Sequence, residues 1–384
     1  MAPSRRAIVV GAGIGGLAAG VALQRAGWEV EIHERAASPR ELGFGLLLAP
    51  NALAALKELG VADAVVRSAA PATSVEIRRL DGRRVRRFRS PLGGPSVVAL
   101  RSELHGALLA AVGENCIHLN SLAEAFDLDS NGVTLRVAGG ATHRADVLVA
   151  ADGVGSAIRR QLHPSEPHAE SSGYCAVRGV AFGVSAVLGD LAGIGYLDDG
   201  IEIGTARGTS DAVYWYMSLI ADEFDAARRT PAAVLARVVP GCDPLLATLL
   251  TTTKPEDMRF DELFRRDPLV SWGSGRVTLL GDAAHPVMPH TGQGAAQALE
   301  DGVALGLVLR GETGIEASLR RYEQVRSQRT RAFVRLGPRI ARMTTTRSRV
   351  ILALRDTALK LMPEALLQRS AAGLQRYPHA ALRS

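Results

Sequence analysis

The sequence predicts an α/β fold carrying a β-rich insertion, an α+β element, and closing in helices. Three observations predict it. A strand, glycine turn, helix and second strand follow one another over Ala7–Glu34. Apolar strands ending in glycine-rich turns recur near residues 145–155 and 276–294. Short alternating strands over 72–100 and 173–270 interrupt that pattern twice. The α/β part is therefore a discontinuous Rossmann-like domain (1–71, 101–172 and 271–335), the interruptions build one β-sheet domain, and 336–384 is a C-terminal helical segment.

The first unit has a mechanical reason at each spacing. Ala7–Val10 is a short apolar run, the signature of a buried strand, and Gly11, Gly13 and Gly16 follow in G-x-G-x-x-G order. Gly11 permits the tight turn, Gly13 lets backbone approach a pyrophosphate, and Gly16 lets the helix pack close to the sheet. Ile14 and Gly15 open that helix, whose free N–H groups and positive dipole end suit phosphates. Gly27 is its expected C-cap. Trp28–His33 alternates as a second strand, with His33 expected to face outward. It delivers Glu34, placed to accept from both hydroxyls of an adenosine ribose, with Arg35 beside it. The unit predicts an adenine dinucleotide and leaves NAD and FAD equally open.

Further along, Pro50–Val61 reads as a helix with Asn51 as N-cap and Gly60 as C-cap. Asp81-Gly82 marks a hairpin inside the arginine-rich stretch Ile77–Arg89, either a site for an anionic partner or a solvated edge that resists strand pairing. Arg101 opens another helix, and Val133–Ala150 holds two strands. Asp152-Gly153-x-x-Ser156-x-x-Arg159 then joins a strand end to a helix start. The sheet region carries one helix near 231–250 and the strand Tyr214-Trp215-Tyr216-Met217, where Tyr214 and Tyr216 share one face that is either a roof over the cleft or ordinary packing. Arg178 is either substrate-orienting or a surface strand residue. Arg276–Leu280 feeds Gly281-Asp282 and an irregular loop as far as Gly294, at the carboxyl end of a strand, where α/β sheets bind ligands. Asp282 is placed to accept from a ribityl hydroxyl, and the Gly292, Gly294 and Ala295 amides to stabilise negative charge. The arginine-rich helix beyond 321 reads as solvated or inter-domain.

Composition narrows the class. The 384 residues carry 47% hydrophobic and 22% charged types with net charge +6, nearly all of it from arginine because lysine occurs only at 57, 254 and 360. No apolar run is long enough to span a bilayer, and no secretory leader is evident, so a cytoplasmic protein without a membrane role is expected. Cys116, Cys175 and Cys242 are scattered, which excludes a redox dithiol motif. No nucleic-acid module is present. His285 and His290 lack carboxylate or cysteine partners at ligand spacing, so no metal is expected there.

With GAGIGG and Glu34, DGVGSAIR, and GDAAHPVMPHTGQG in this order, the sequence resembles the class A flavin-dependent aromatic hydroxylases of the para-hydroxybenzoate hydroxylase-like fold, and most closely the salicylate hydroxylase-type branch. The stretch Glu41–Leu56 and Arg101 in RSELH match as well. The resemblance implies non-covalent FAD. Gly11, Gly13, Ile14, Gly15, Gly16, Glu34 and Arg35 would hold its ADP half, and Arg101 its phosphate–ribityl region. Asp152 and Arg159 would serve FAD and NAD(P)H contact, and Gly281 and Asp282 the ribityl chain. Gly45, Leu46, Pro289, Gly292, Gly294 and Ala295 would line the flavin, with Tyr214 and Tyr216 facing flavin or substrate. It also implies NAD(P)H as a transient reductant, O2, a C4a-hydroperoxyflavin, and hydroxylation of an aromatic or polycyclic small molecule by a monomer or homodimer. Epoxidation, Baeyer–Villiger oxidation, or a reductase or redox sensor without oxygen transfer are the alternatives. A halogenase is disfavoured because W-x-W-x-I-P is missing.

Overall fold

The chain enters on β1 (Arg6–Val10), whose residues after Arg6 are all buried, turns into α1 (Ile14–Arg25) and returns as β2 (Glu29–His33). The computed structural model describes residues 5–38, 44–89, 93–209, 211–223, 229–311 and 314–377. Glu41–Gly43 of the family-like stretch lie outside these.

β1 and β2 belong to a five-stranded parallel sheet in the order Val277–Leu279, Val147–Ala150, β1, β2, Ile117–His118. Val147–Ala150 is wholly buried, as expected of a parallel strand covered on both faces. α1 packs against the helix Gly294–Val308. A Cβ on Gly302 would lie 2.8 Å from the backbone of Ala18 and Ala19, and one on Gly306 would lie 2.7 Å from the Ala22 Cβ. The two helices therefore meet backbone to backbone, and larger residues would force them apart.

The second large sheet has seven strands in the order Met258–Arg265, Glu170–Phe182, Ala212–Ile220, Ile201–Arg207, Gly193–Asp198, Val75–Arg78, Arg84–Phe88. Both insertions contribute to it, joined by a parallel pairing of Gly193–Tyr196 with Val75–Arg78. One face is apolar: Val213, Trp215 and Met217 pack with Leu246, Leu249 and Leu250 of the helix Pro244–Thr252. Tyr214 and Tyr216, alternating with them, are half-buried on the other face.

Several local expectations change. Residues 133–150 form three strands, because a turn after Val137 starts the extra strand Thr142–Ala145. The helix expected near 231–250 is two, Pro231–Val238 and Pro244–Thr252, separated by Pro240-Gly241. The strand Val97–Leu100 pairs with Gly45–Leu48 and Ala70–Pro71, apart from the seven-stranded sheet. The helix Ile315–Thr344 runs unbroken across 335/336 and holds Pro338, so the tail does not begin there. Asn51 is not an N-cap: Ala49 caps, Pro50 takes the first turn, and the Asn51 side chain is buried elsewhere.

The arginine hairpin lies at the sheet edge, but its arginines do not simply face solvent. Arg79 bridges Asp198 at 2.7 Å and Asp356 at 2.6 Å, and Arg86 donates to the carbonyls of Leu359 (2.5 Å) and Met362 (2.6 Å). They fasten the helix Arg349–Leu361 over the edge strand, one of the ways proteins cover an unpaired edge. Among the described residues no helix is long and apolar enough to cross a membrane.

Candidate active site

At the first strand–helix turn, Gly11 has φ +100 and its N–H donates to the His33 carbonyl at 2.8 Å. A Cβ on Gly11 would stand 2.5 Å from the Ala151 oxygen, and one on Gly16 would stand 1.8 Å from the Gly11 oxygen. No side chain fits at either position. Gly13 is extended and no side chain caps α1, so its first-turn amides remain available to an anion. Gly15 packs against Leu280 and Ala298, and Ile14 is buried. Glu34 is pinned at the mouth of this turn. Its carboxylate accepts from Ala12 N–H at 2.8 Å and Ala36 N–H at 2.9 Å. Arg35 is exposed beside it.

The second end of the cleft hangs from the middle of the Gly294–Val308 helix. Asp301 accepts from the Gly281 N–H at 2.9 Å, from His285 Nε2 at 2.6 Å and from Arg326 Nε at 2.6 Å. Its neighbour Glu300 binds Arg326 at 2.5 Å, Arg329 at 2.6 Å and Asn51 Nδ2 at 2.7 Å. Burial pushes both carboxyls up. Around Asp301, His285 and Arg326 more than reverse this, and around Glu300, Arg326 and Arg329 do, so both settle below their ordinary values. This network fixes the backbone of the Gly281–His285 loop. Asp282 on that loop is open to solvent yet ringed by protein. Burial raises its pKa, against His285 and Arg101.

Beyond His285, the turn Pro289–Thr291 ends at Gly292 with φ +62. A Cβ on Gly292 or Gly294 would meet nothing within 4 Å, so open space lies before this backbone. Ala295 sits in the first helical turn, where no side chain caps the helix. The opposite wall is the strand Gly45–Leu48. A Cβ on Gly45 would lie 2.6 Å from the Tyr214 ring, and Leu46 is partly buried beside it. The Arg101 N–H donates to the Phe44 carbonyl at 2.6 Å. Burial lowers the Arg101 guanidinium pKa, with Asp282 opposing and Arg178 adding to the effect. Arg101, Asp282, Arg178 and Tyr214 thus share one electrostatic neighbourhood, and Arg178 is held by Asp261 at 3.1 Å.

Under the tyrosine face lies a polar cluster that sequence reasoning did not find. Tyr216 donates its hydroxyl to Glu202, and His290 Nε2 lies 2.9 Å from Ser218 Oγ. Burial and then Glu202 drive the Tyr216 pKa well above its ordinary value. Glu202 Oε2 and His290 Nδ1 are buried without a hydrogen bond, Oε2 standing 4.0 Å from His290 Nε2. In the sequence Glu202 was detectable only as an acidic residue between the apolar Ile201 and Ile203.

Two expectations need correction. Arg159 is not a ligand contact. Its guanidinium is fully buried, pairs with Glu166 and donates to the carbonyls of Ala283 (2.8 Å) and Ala284 (3.1 Å), so it is a bolt holding the Asp282 loop. Asp152 uses one oxygen to accept from Ala157 N–H at 2.9 Å, while its other oxygen is buried and unpartnered. His33 does not face outward. It is buried, stacks on His118 and meets His143 edge-on.

The cleft fits an extended dinucleotide. It has an uncapped helix N-terminus and a fixed carboxylate at one end, and open glycine backbone with a second uncapped helix at the other. Comparisons with known proteins agree. The model of the FAD binding domain family matches residues 5–336. The chain is 31% identical over 360 residues to an aurachin C monooxygenase/isomerase of Stigmatella aurantiaca, covering 92% of this chain and 94% of that protein. It is 33% identical over 347 residues to a 3-amino-4-hydroxybenzoate 2-monooxygenase of Streptomyces platensis, covering 85% of each. Its fold matches the crystal structure of Klebsiella pneumoniae HpxO complexed with FAD and uric acid, with TM-score 0.89 and 26% identity over 97% of this chain and 96% of that one.

Proposed function

This chain belongs to the FAD binding domain family, and from that premise we propose that it is an NAD(P)H-dependent monooxygenase hydroxylating a planar aromatic that bears N–H or O–H groups. The observation that carries the substrate class is the polar cluster of Tyr216, Glu202, Ser218 and His290 beneath the tyrosine face, in which Glu202 Oε2 and His290 Nδ1 make no hydrogen bond. Buried polar atoms left unpaired are costly, and a polar ring substituent would satisfy them where a hydrocarbon would not. The relatives are consistent with this: one acts on 3-amino-4-hydroxybenzoate and another is complexed with uric acid.

Gly11, Gly13, Gly16 and Glu34 would hold the ADP half of FAD, Arg101 and Asp282 its middle, and Gly45, Leu46, Pro289, Gly292, Gly294 and Ala295 the ring. Bound FAD, once reduced by the nicotinamide, supplies the activation of O2 and the transfer of one oxygen atom, the other leaving as water. The chain does the rest. Glu202 accepts the substrate N–H or O–H while Tyr216 holds the carboxylate in place, and drawing that proton away enriches the ring in electrons. Tyr214, against Gly45, closes the wall and keeps water from the ring. The dipole of the Gly294–Val308 helix and the Gly292–Ala295 amides favour negative charge at their end of the cleft. The three free cysteines fit a reducing, cytoplasmic setting.

The test is the visible spectrum and product of the purified protein. Flavin bands should bleach with NADH or NADPH and return in air. A panel of hydroxylated N-heteroaromatics and phenols should stimulate NAD(P)H consumption, with one atom of 18O2 entering the product. NAD(P)H oxidation that no aromatic stimulates, or product without label, would overturn the assignment. Epoxide or ester products would replace hydroxylation by the alternative chemistry.

A further inference from the structure

A second constellation lies on the other side of β2 from α1. Glu31 and His33, two apart on β2, face the same way. His33 pairs in register with His118 on the neighbouring strand, which brings their rings to 4.8 Å between centroids. His143, from the strand Thr142–Ala145, meets the His33 ring at 4.3 Å. Glu31 Oε2 lies 3.4 Å from His143 Nδ1 and 3.7 Å from His33 Nε2. Two ligand atoms bound tetrahedrally to one zinc ion stand about 3.4 Å apart, given metal–ligand distances of about 2.0–2.1 Å. Ligand atoms of Glu31, His33 and His118 all fall within 4.8 Å of one another.

The surroundings complete the set. His33 Nδ1 lies 2.8 Å from Ser121 Oγ, and when it donates there Nε2 presents its lone pair to Glu31. That Nε2 is buried and makes no hydrogen bond. A second-shell bond of this kind is what orients metal-ligating histidines. Arg6 occupies the other oxygen of Glu31, so Oε2 remains for an ion. A surface cavity of about 370 Å³, lined by Arg6, Glu31, Cys116, His118 and Arg144, gives a path in.

We infer that Glu31, His33 and His118, with His143 adjoining Glu31, form a binding site for one divalent transition-metal ion. Imidazoles beside a single carboxylate select zinc over calcium or magnesium, which take oxygen ligands. The ion would tie the edge strand Ile117–His118 and the strand Thr142–Ala145 to β2, a structural role apart from the redox site.

The experiment is calorimetric titration of zinc chloride into the flavin-loaded protein after chelator dialysis, with flavin absorbance recorded throughout. The expected result is saturable uptake of one ion per chain and a raised thermal midpoint. The variant His118→Ala/His143→Ala, which alters only partly exposed side chains, should lose affinity by about 100-fold or more with flavin content unchanged. Ser121→Ala should lose roughly 10-fold. Absence of saturable one-to-one uptake by the parent protein would overturn the inference. So would parent-like affinity in the double variant, or loss of binding in Cys116→Ser with the histidines intact.

Discussion

Replacing Arg326 by methionine removes the centre of the buried network. Arg326 is 1% exposed and binds Glu300 at 2.5 Å, Asp301 at 2.6 Å and the Gln297 side chain at 2.8 Å. Without it Asp301, wholly buried, retains only His285 and the Gly281 amide, whereas Glu300 retains Arg329 and Asn51. Removing one partner of a buried ion pair costs about 3–5 kcal/mol. The partners that stay behind place this case at the low end, about 3 kcal/mol, a factor of roughly 150 in the folding equilibrium. Adding Asp301→Asn should recover part of the loss. It removes the stranded charge while leaving an oxygen for the Gly281 amide, so the cycle should show a coupling of about 1–3 kcal/mol. Urea unfolding followed by tryptophan fluorescence reads this directly, because Trp272 lies 5.2 Å from the His285 ring. A loss below about 1 kcal/mol for Arg326→Met, or strictly additive single effects, would refute the reasoning.

Glu34→Ala should raise the FAD dissociation constant roughly 5- to 150-fold, equivalent to about 1–3 kcal/mol, and ultrafiltration with flavin fluorescence checks it. Asp282→Ala should retain about tenfold less flavin through purification; an unchanged flavin-to-protein ratio removes Asp282 from the site. Asp301 and Glu300 are held below their unfolded values, so the stability they contribute is complete above about pH 5 and is lost as pH falls through the unfolded and then the depressed folded values. Urea midpoints measured from about pH 6 to pH 3 should therefore decline toward acid, and the decline should be shallower in the Arg326→Met/Asp301→Asn variant.

The dinucleotide end was legible because its constraints are local. The Gly16 contact with the Gly11 oxygen and the placement of Glu34 depend on spacings within one strand–helix–strand unit, so the sequence carries them whole, whereas the approach of Ala151 to Gly11 comes from a distant strand end. The Gly281–Gly294 loop was legible for the same reason. What stayed hidden depends on partners far away in the chain. Arg159 is a bolt because Glu166 and the Ala283 and Ala284 carbonyls converge on it, and nothing in DGVGSAIR reveals the last two. Arg326 lies in the arginine-rich helix that reads as solvated or inter-domain, yet it is buried because Glu300 and Asp301 stand in a largely apolar helix and need a cation. That acidic pair was the available signal. His33 was misjudged because strand alternation gives two faces without saying that the second is also covered, here by His118 and His143.

The contact between α1 and the Gly294–Val308 helix has a further consequence. With Gly302 and Gly306 seated on the α1 backbone, the N-termini that open the two ends of the cleft belong to one rigid pair. The distance between them is a fixed gauge against which a cofactor's length is measured. FMN, which lacks the adenylate, would reach one end and leave the amides of the other unsatisfied, whereas FAD would engage both. Discrimination between the two would then follow from helix spacing as much as from any contact to adenine. Gly302→Ala, by prising the helices apart, should erode the preference for FAD over FMN before it alters either ring-binding surface.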